Sequence, residues 1–526
     1  MNRNHIRGIL LASAMLVMPF AAQAQEQQAE PPADAASPDD ASLQAVSDSE
    51  VSTSDADAKM ALLQAQLEAM QAQLDEMKKL QAKAAPAWKG APQYADPDSG
   101  FSWKVRGRFM MDTAYMSTPD FQNPRDYGFN TRVRRVRLGV EGTLPGEFGY
   151  KAEMDFANST VGFGDVLLSW NPKKGPITIS GGNMESFDGM EQQSSSRWSS
   201  FIERAQVNDA FGNTRRLGLG VGFKSKDNLF RIDGGLFAAH SIDASLDNKG
   251  WIAAARATYT PYVGPGFVHI GLNYQHREFQ ENNGATALTA GVGSPSTGQL
   301  VQYRARPFLQ TTSQRFVDTG SFAAKGDDIF GAELYGVFKS LHVGGEAQYN
   351  KVRAYSAGDI LTSRDQFSTV TQYVSNGNPS FWGGHFEVGY FLTGETRGYK
   401  NGLWDRTKVL NPVDKGGMGA FQIIGRVDYL DMEDSKLQSG CTNNFATGVC
   451  TALSSSARLA KGGTQTGFLA GLTWIPNDYV RFLLNYIHTE VEGGSKAASV
   501  DPTSTEAINK RSYSTDAVAL RAQFDF

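Results

Sequence analysis

The chain has 526 residues, 40% hydrophobic and 11% aromatic, with 55 glycines and a formal net charge of −5. That length suits several soluble domains or one large barrel, and much glycine and aromatic residue with modest hydrophobicity favours barrel strands over a leucine-rich core. The slightly acidic balance excludes a chain that attracts nucleic acid as a whole, so any anion preference has to come from where the arginines sit.

Arg3 and Arg7 precede an apolar run from Ile9 to Phe20, followed by Ala22-Gln23-Ala24. This is the pattern of a secretory signal peptide over residues 1–24. The run is too short to span a bilayer as a helix, and no later run reaches about 18 apolar residues. The expected mature chain is therefore exported, with either no membrane segment or a barrel. Residues 25–57 are rich in Ala, Ser, Asp, Glu, Gln and Pro, which predicts a disordered spacer. Over 58–84, Met60, Leu63, Leu67, Met70, Leu74 and Met77 recur at spacings of three and four. That is the seam of a short periplasmic coiled coil, with a single amphipathic helix lying on a surface as the alternative. So short a coil is marginal alone and needs something else to gather the chains, which a trimeric barrel would do. Residues 85–100 read as a linker.

From Phe101 to Phe526 the period changes to two. Trp103, Val105, Phe109, Met111 and Tyr115 share one face of the first segment, and Lys104, Arg106, Arg108 and Asp112 share the other. In the second, Val136, Leu138 and Val140 oppose Arg135, Arg137 and Glu141. In the third, Tyr150, Met154 and Phe156 oppose Lys151, Glu153 and Asp155. Thirteen further candidates give sixteen strands, an even number that returns both ends to the periplasm. Tight turns at 171–176, 261–265 and 475–478 follow even-numbered strands, and long polar loops at 278–327, 353–379 and 431–465 follow odd ones. The predicted fold is an all-β, 16-stranded antiparallel transmembrane barrel in the bacterial outer membrane, preceded by the helical segment in the periplasm. One connection breaks the asymmetry: 393–418 is long but lies on the short-turn side. Either the count slips there or that segment folds into the lumen. The last strand, Ala517–Phe526, alternates and ends on an aromatic residue, as outer-membrane barrels generally do.

Cys441 and Cys450 lie in a Gly/Ser/Thr/Asn-rich stretch, where a loop-tip disulfide is expected in an exported chain and two free thiols are the alternative. The seven histidines form no metal-ligand spacing such as HExxH. His269 and His488 fall in alternating strands as packed or lumen-facing side chains. Nothing selects a catalytic constellation, a metal or a cofactor, so no enzyme is expected. Inward-facing cations do stand out: Arg106, Arg108, Arg135, Arg137, Arg231, Arg256 and Arg426. A guanidinium is always charged and offers a planar fork to oxyanions. At about 4 Å and an effective dielectric near 20, one such pair contributes about 4 kcal/mol. A row of them replaces an anion's hydration stepwise without a deep trap. The alternative role is structural pairing with Glu141, Glu153, Asp155 and Asp233, and it is expected to take about half of these arginines. Arg132 and Arg134 have the opposite parity. They point outward to lipopolysaccharide phosphates, unless a bulge turns them in.

Arg134–Gly142, Phe201-Ile-Glu-Arg204, Arg304-Ala-Arg-Pro307 with Arg315–Thr319, Leu392-Thr-Gly-Glu395 with Tyr399, and Arg481–Tyr486 resemble the phosphate-selective porin O and P family. The resemblance covers Phe101 to Phe526. It implies a homotrimer of sixteen-stranded barrels, with loops folded inward and an arginine ladder leading to a phosphate or polyphosphate site. It also implies that 185–215 is the constriction loop, with Arg204 its candidate residue, and that Arg304, Arg306 and Arg315 sit in the next inward loop. The expected function is passive passage of phosphate or other small anions through the outer membrane, among lipid and lipopolysaccharide. The rivals are a general porin for organic anions or oligosaccharides, and a structural tether whose barrel is blocked by its loops.

Overall fold

The computed structural model describes residues 53–526, except 85–86, 89, 120–121, 158–160, 240–241, 243–249, 280–299, 321, 355–372, 376, 439–440, 445–448, 452–461, 495 and 501–502. Alternation over Phe101–Phe526 becomes sixteen antiparallel strands. They are β1 Ser102–Met116, β2 Gly128–Leu144, β3 Phe148–Asp155, β4 Gly162–Trp170, β5 Ile177–Met184, β6 Arg216–Lys224, β7 Phe230–Ala238 and β8 Gly250–Tyr259. After these come β9 Gly266–Phe279, β10 Phe322–Phe338, β11 Leu341–Ala354, β12 Ser380–Phe391, β13 Ala420–Asp431, β14 Thr464–Asn477, β15 Val480–Glu492 and β16 Ser512–Asp525. Each pairs with the next, and β16 returns to β1, with Ala517 opposite Met116 and Asp525 opposite Arg108. Closure removes the open sheet edge that lipid cannot satisfy.

The two faces invert the order of a soluble protein. On β1, Met111 and Tyr115 are exposed while Asp112 and Ala114 are buried. Leu219, Leu236, Leu272 and Leu334 likewise face outward, whereas Arg256, Gln275, Glu387 and Arg521 are buried inside. Ring pairs such as Phe148–Trp170 and Phe421–Trp474, about one strand spacing apart at 6.0 Å, lie near the short-turn end, where an aromatic girdle belongs. Among the described residues, no helix is long and apolar enough to cross a membrane.

The C-terminal residue completes the closure. The Phe526 amide donates to the Gly107 carbonyl at 3.1 Å and its carbonyl accepts from the Gly107 amide at 3.2 Å. Its ring lies so near Gly107 that a Cβ there would sit 2.1 Å from it. Below this point β1 has outrun its partner. Pro92–Ala95 pairs with that edge instead, placing Gln93 opposite Lys104, and Ala87–Trp88 pairs with it in turn. The stretch 85–100 is thus no simple linker: part of it covers an exposed edge of the sheet.

The N-terminal helix runs Thr53–Ala84, starting five residues before the expected 58. The six seam residues lie 47–64% exposed in the single chain. The disulfide expected at Cys441 and Cys450 concerns side chains outside the described residues. The signal peptide (1–24) and nearly all of the spacer also lie outside them.

Candidate functional site

Two insertions from opposite ends of the barrel meet in its interior. The first, 185–215, follows β5. Its Phe201 and Ile202 pack with Ile424, Leu469 and Leu483 on the inner wall, and its Ala205, Val207 and Phe211 pack with Phe381 and Leu430. Polar anchors add to this. The Ile202 amide donates to Asn485 Oδ1 at 2.8 Å, and the Glu191 amide donates to Glu346 Oε1 at 2.6 Å. The second insertion, 392–419, enters from the short-turn end. It carries a small hairpin of Tyr399–Lys400 against Leu403–Trp404. Tyr399 Oη lies 2.7 Å from both Thr260 Oγ1 and His269 Nδ1, Arg256 Nη2 donates to the Gly402 carbonyl at 2.8 Å, and Arg397 donates to Glu387 at 2.7 Å. Of the two readings left open for this segment, folding into the lumen is the one observed.

The opposite wall is β2, and a bulge decides what it presents. Met110 pairs with Arg135 and Met111 with Val133, so Arg134 stands without a cross-strand partner. The extra residue reverses the parity beyond it. Arg134 turns inward and makes a two-pronged ion pair with Glu203, at 2.7 and 3.1 Å. Arg132 reaches the Gln310 carbonyl at 2.8 Å. Neither is therefore available to lipopolysaccharide outside the barrel. Arg132, Arg134, Arg135 and Arg137 form one inward column on a single strand.

Two cavities lie along this column. One, of about 430 Å³, is lined by eight arginines and two lysines against four carboxylates. The other, of about 350 Å³, lies on the Arg306 side. They share Arg135, Arg137, Glu185, Arg204 and Arg215 as a common wall.

The expected site residues divide into groups. Arg106 pairs with Glu141, Arg137 with Glu153 and Asp155, Arg231 with Asp233, Arg256 with Glu333, and Arg306 with Asp209. Arg426 has the right parity but is covered by the first insertion. It is held between Glu191 and Glu387, with the Phe201 ring 4.6 Å from its guanidinium, and it lines neither cavity. Arg106, Arg304 and Arg315 also lie outside both cavities. Arg304 instead sits on a short strand opposite Asp318.

Arg108, Arg135 and Arg204 differ from the paired set. Arg108 donates to Ser196 and Ser195 at 2.8 and 3.3 Å, with Glu153 farther away at 3.6 Å. Arg135 donates to Ser196. Arg204 donates to the Glu191 and Ser194 carbonyls at 2.8 and 2.9 Å. Among the described residues, no carboxylate lies within 4.0 Å of a charged nitrogen of Arg135 or Arg204. Burial pulls the Arg204 pKa below its usual value, and Glu185 and Glu191 only partly offset it. Such a guanidinium stays protonated and gains from any anion that arrives beside it.

Sequence reasoning missed Arg197, Arg215 and Lys400 on the cavity wall, and the serines that hold Arg108 and Arg135. The run Ser194-Ser195-Ser196-Arg197 was the available signal, since hydroxyls beside an arginine solvate charge without neutralising it.

The family model described as phosphate-selective porin O and P matches residues 103–526. An uncharacterised protein of Caulobacter vibrioides is 28% identical over 459 residues, covering 85% of this chain and 78% of its own length. Porin O of Pseudomonas aeruginosa is 22% identical over 423 residues, covering 77% of this chain and 86% of its own. Among solved structures, the outer membrane channel DcaP of Acinetobacter baumannii aligns with TM-score 0.44 at 11% identity, over 82% of this chain and 99% of that one. The anion-selective porin of Comamonas acidovorans aligns with TM-score 0.41 at 12% identity, over 81% of this chain and 100% of that one.

Proposed function

The chain belongs to the phosphate-selective porin O and P family, and from that premise we propose that it is a passive outer-membrane channel for small anions, phosphate or polyphosphate first among them. One observation carries the proposal. Arg135 and Arg204 stand on the wall common to two cavities with hydroxyls and carbonyls, not carboxylates, as their partners. An anion leaving one cavity meets the other's guanidiniums before it has lost the first set. It is handed on and not trapped. In this reading 185–215 is the constriction loop, 392–419 narrows the passage from the periplasmic end, and three barrels assemble as a homotrimer.

A broader porin is the second reading, favoured by four arginines of the cavity walls, Arg137, Arg231, Arg256 and Arg306, that carboxylates already neutralise. Planar-bilayer recording separates the two. The reversal potential in a KCl gradient is expected to show anion selectivity, and low phosphate to block the chloride current. Arg135→Ala and Arg204→Ala should each raise the half-blocking phosphate about tenfold, the loss of about 1.4 kcal/mol. A large, weakly selective current indifferent to phosphate means a general porin, and no current at all means a tether.

A further inference from the structure

The barrel carries a second concavity, on its outside. A groove of about 800 Å³ crosses β9 to β13 on the outward face. Its floor is nearly bare backbone: Ala332 lies opposite Ala347, Ala347 opposite Gly384, and Gly345 between Leu334 and Phe386. Its rims are bulky, with the Trp382 and Tyr429 rings 5.0 Å apart and tilted at 47° on one side and Phe338 at the other end. The polar residues bordering it turn their side chains into the lumen, Glu333 to Arg256 and Glu346 to the Glu191 amide. What remains on the outside is apolar.

Water does not fill such a trough inside a bilayer, and leaving it empty forfeits the dispersion contacts of its walls. The groove is continuous with the lipid-facing belt, so the occupant at hand is a methylene chain. Its volume lies within the range of about 300–1,000 Å³ usual for ligand sites. At the short-turn end, exposed Lys339 follows Phe338 directly, a cation at the depth where a headgroup phosphate would lie. We propose that this groove is a specific lipid site, holding one acyl chain of a glycerophospholipid from the periplasmic leaflet with its phosphate near Lys339. The proposal rests on the membrane placement of the barrel but not on its anion selectivity.

The full chain, extracted from membranes in mild detergent, is to be weighed by native mass spectrometry. One retained glycerophospholipid per chain is expected. Ala347→Phe, which fills an outward position on the floor, should cut that retention severalfold, while Leu219→Ala on the far side of the barrel should leave it unchanged. Equal retention in Ala347→Phe overturns the site, as does retained lipopolysaccharide in place of phospholipid. A second measurement takes the Trp382 signal as the difference in emission between the chain, with its eight tryptophans, and Trp382→Phe. Trp382 fluorescence in delipidated protein should be quenched saturably by a phospholipid with brominated chains, and quenching that never saturates overturns the proposal. Cross-linking of copies through Ala347→Cys would assign the groove to contacts between barrels and also overturn it.

Discussion

The backbone amide of Trp404 donates to Ser194 Oγ at 2.9 Å, joining two insertions that enter the barrel from opposite ends. Around this bond, the Arg397 guanidinium lies 3.7 Å from the centre of the Trp404 ring, and Arg406 lies 4.7 Å from that of Trp198. The bond is the hydrogen-bonded part of the contact between the segment proposed as the constriction and the one proposed to narrow the periplasmic end. Ser194→Ala removes about 1 kcal/mol of it and leaves a buried amide unpaired. The expected result is a noisier open channel with modestly higher conductance and unchanged ion selectivity, read from single-channel traces. A shift in selectivity instead would mean that Ser194 acts on the anion through Arg204.

Glu203 ties the first insertion to the wall through Arg134 and also lies 3.2 Å from Arg521. Burial pushes its pKa up, but the Arg134 charge and hydrogen bonds prevail and hold it down, from 4.5 to about 2. A depressed carboxyl contributes stability that is present above the ordinary value and lost as pH falls through the shifted one. Resistance of the barrel to thermal unfolding should therefore drop between about pH 4.5 and about pH 2. Glu203→Gln should flatten that drop and lower stability at neutral pH. Parallel curves for variant and wild type would remove Glu203 as the cause.

Asp188, in the same insertion, behaves in the opposite sense. Burial, and then the nearby Glu185 charge, raise its pKa from 3.8 to about 7, although Ser186 donates to it at 2.8 Å. A raised carboxyl contributes stability that is complete below the ordinary value and lost as pH climbs through the shifted one. Asp188→Asn mimics the protonated form, so its gain in stability over wild type should widen from about pH 4 to about pH 8. Thermal melts at a series of pH values test this, and a pH-independent difference contradicts it.

The strands were legible because a barrel wall has only two environments, and a period of two reports both. Val518, Leu520 and Phe524 on β16 needed no neighbours to declare their side. The insertions have no such period. That Glu191 meets Arg426, and so covers it, depends on a loop crossing the lumen, which no local pattern encodes. The parity of Arg132 was undecidable for a different reason. One unpaired residue at Arg134 reverses every side chain beyond it, and the sequence does not mark which residue of Arg-Val-Arg-Arg goes unpaired. Arg204 was reached only through resemblance, and its uncompensated charge emerges only once its carbonyl partners are placed.

The N-terminal helix leaves Leu67 and Leu74 about half exposed, at 55% and 47%. The positions flanking its seam are Lys59, Gln64, Gln66, Gln71, Gln73 and Lys78, with no carboxylate among them. Parallel copies of this helix therefore meet without acidic repulsion, and each lysine faces a glutamine across the seam. Burying each leucine against other copies contributes about 1.5–3 kcal/mol, enough to matter for an assembly that the barrels have already begun. Leu67→Glu with Leu74→Glu should lower the temperature at which the oligomer dissociates on heated gels. Single-channel conductance should stay the same, because neither residue belongs to the barrel wall or its insertions. If the dissociation temperature does not move, the helix does not clamp the barrels together and is better read as an amphipathic segment lying on another surface.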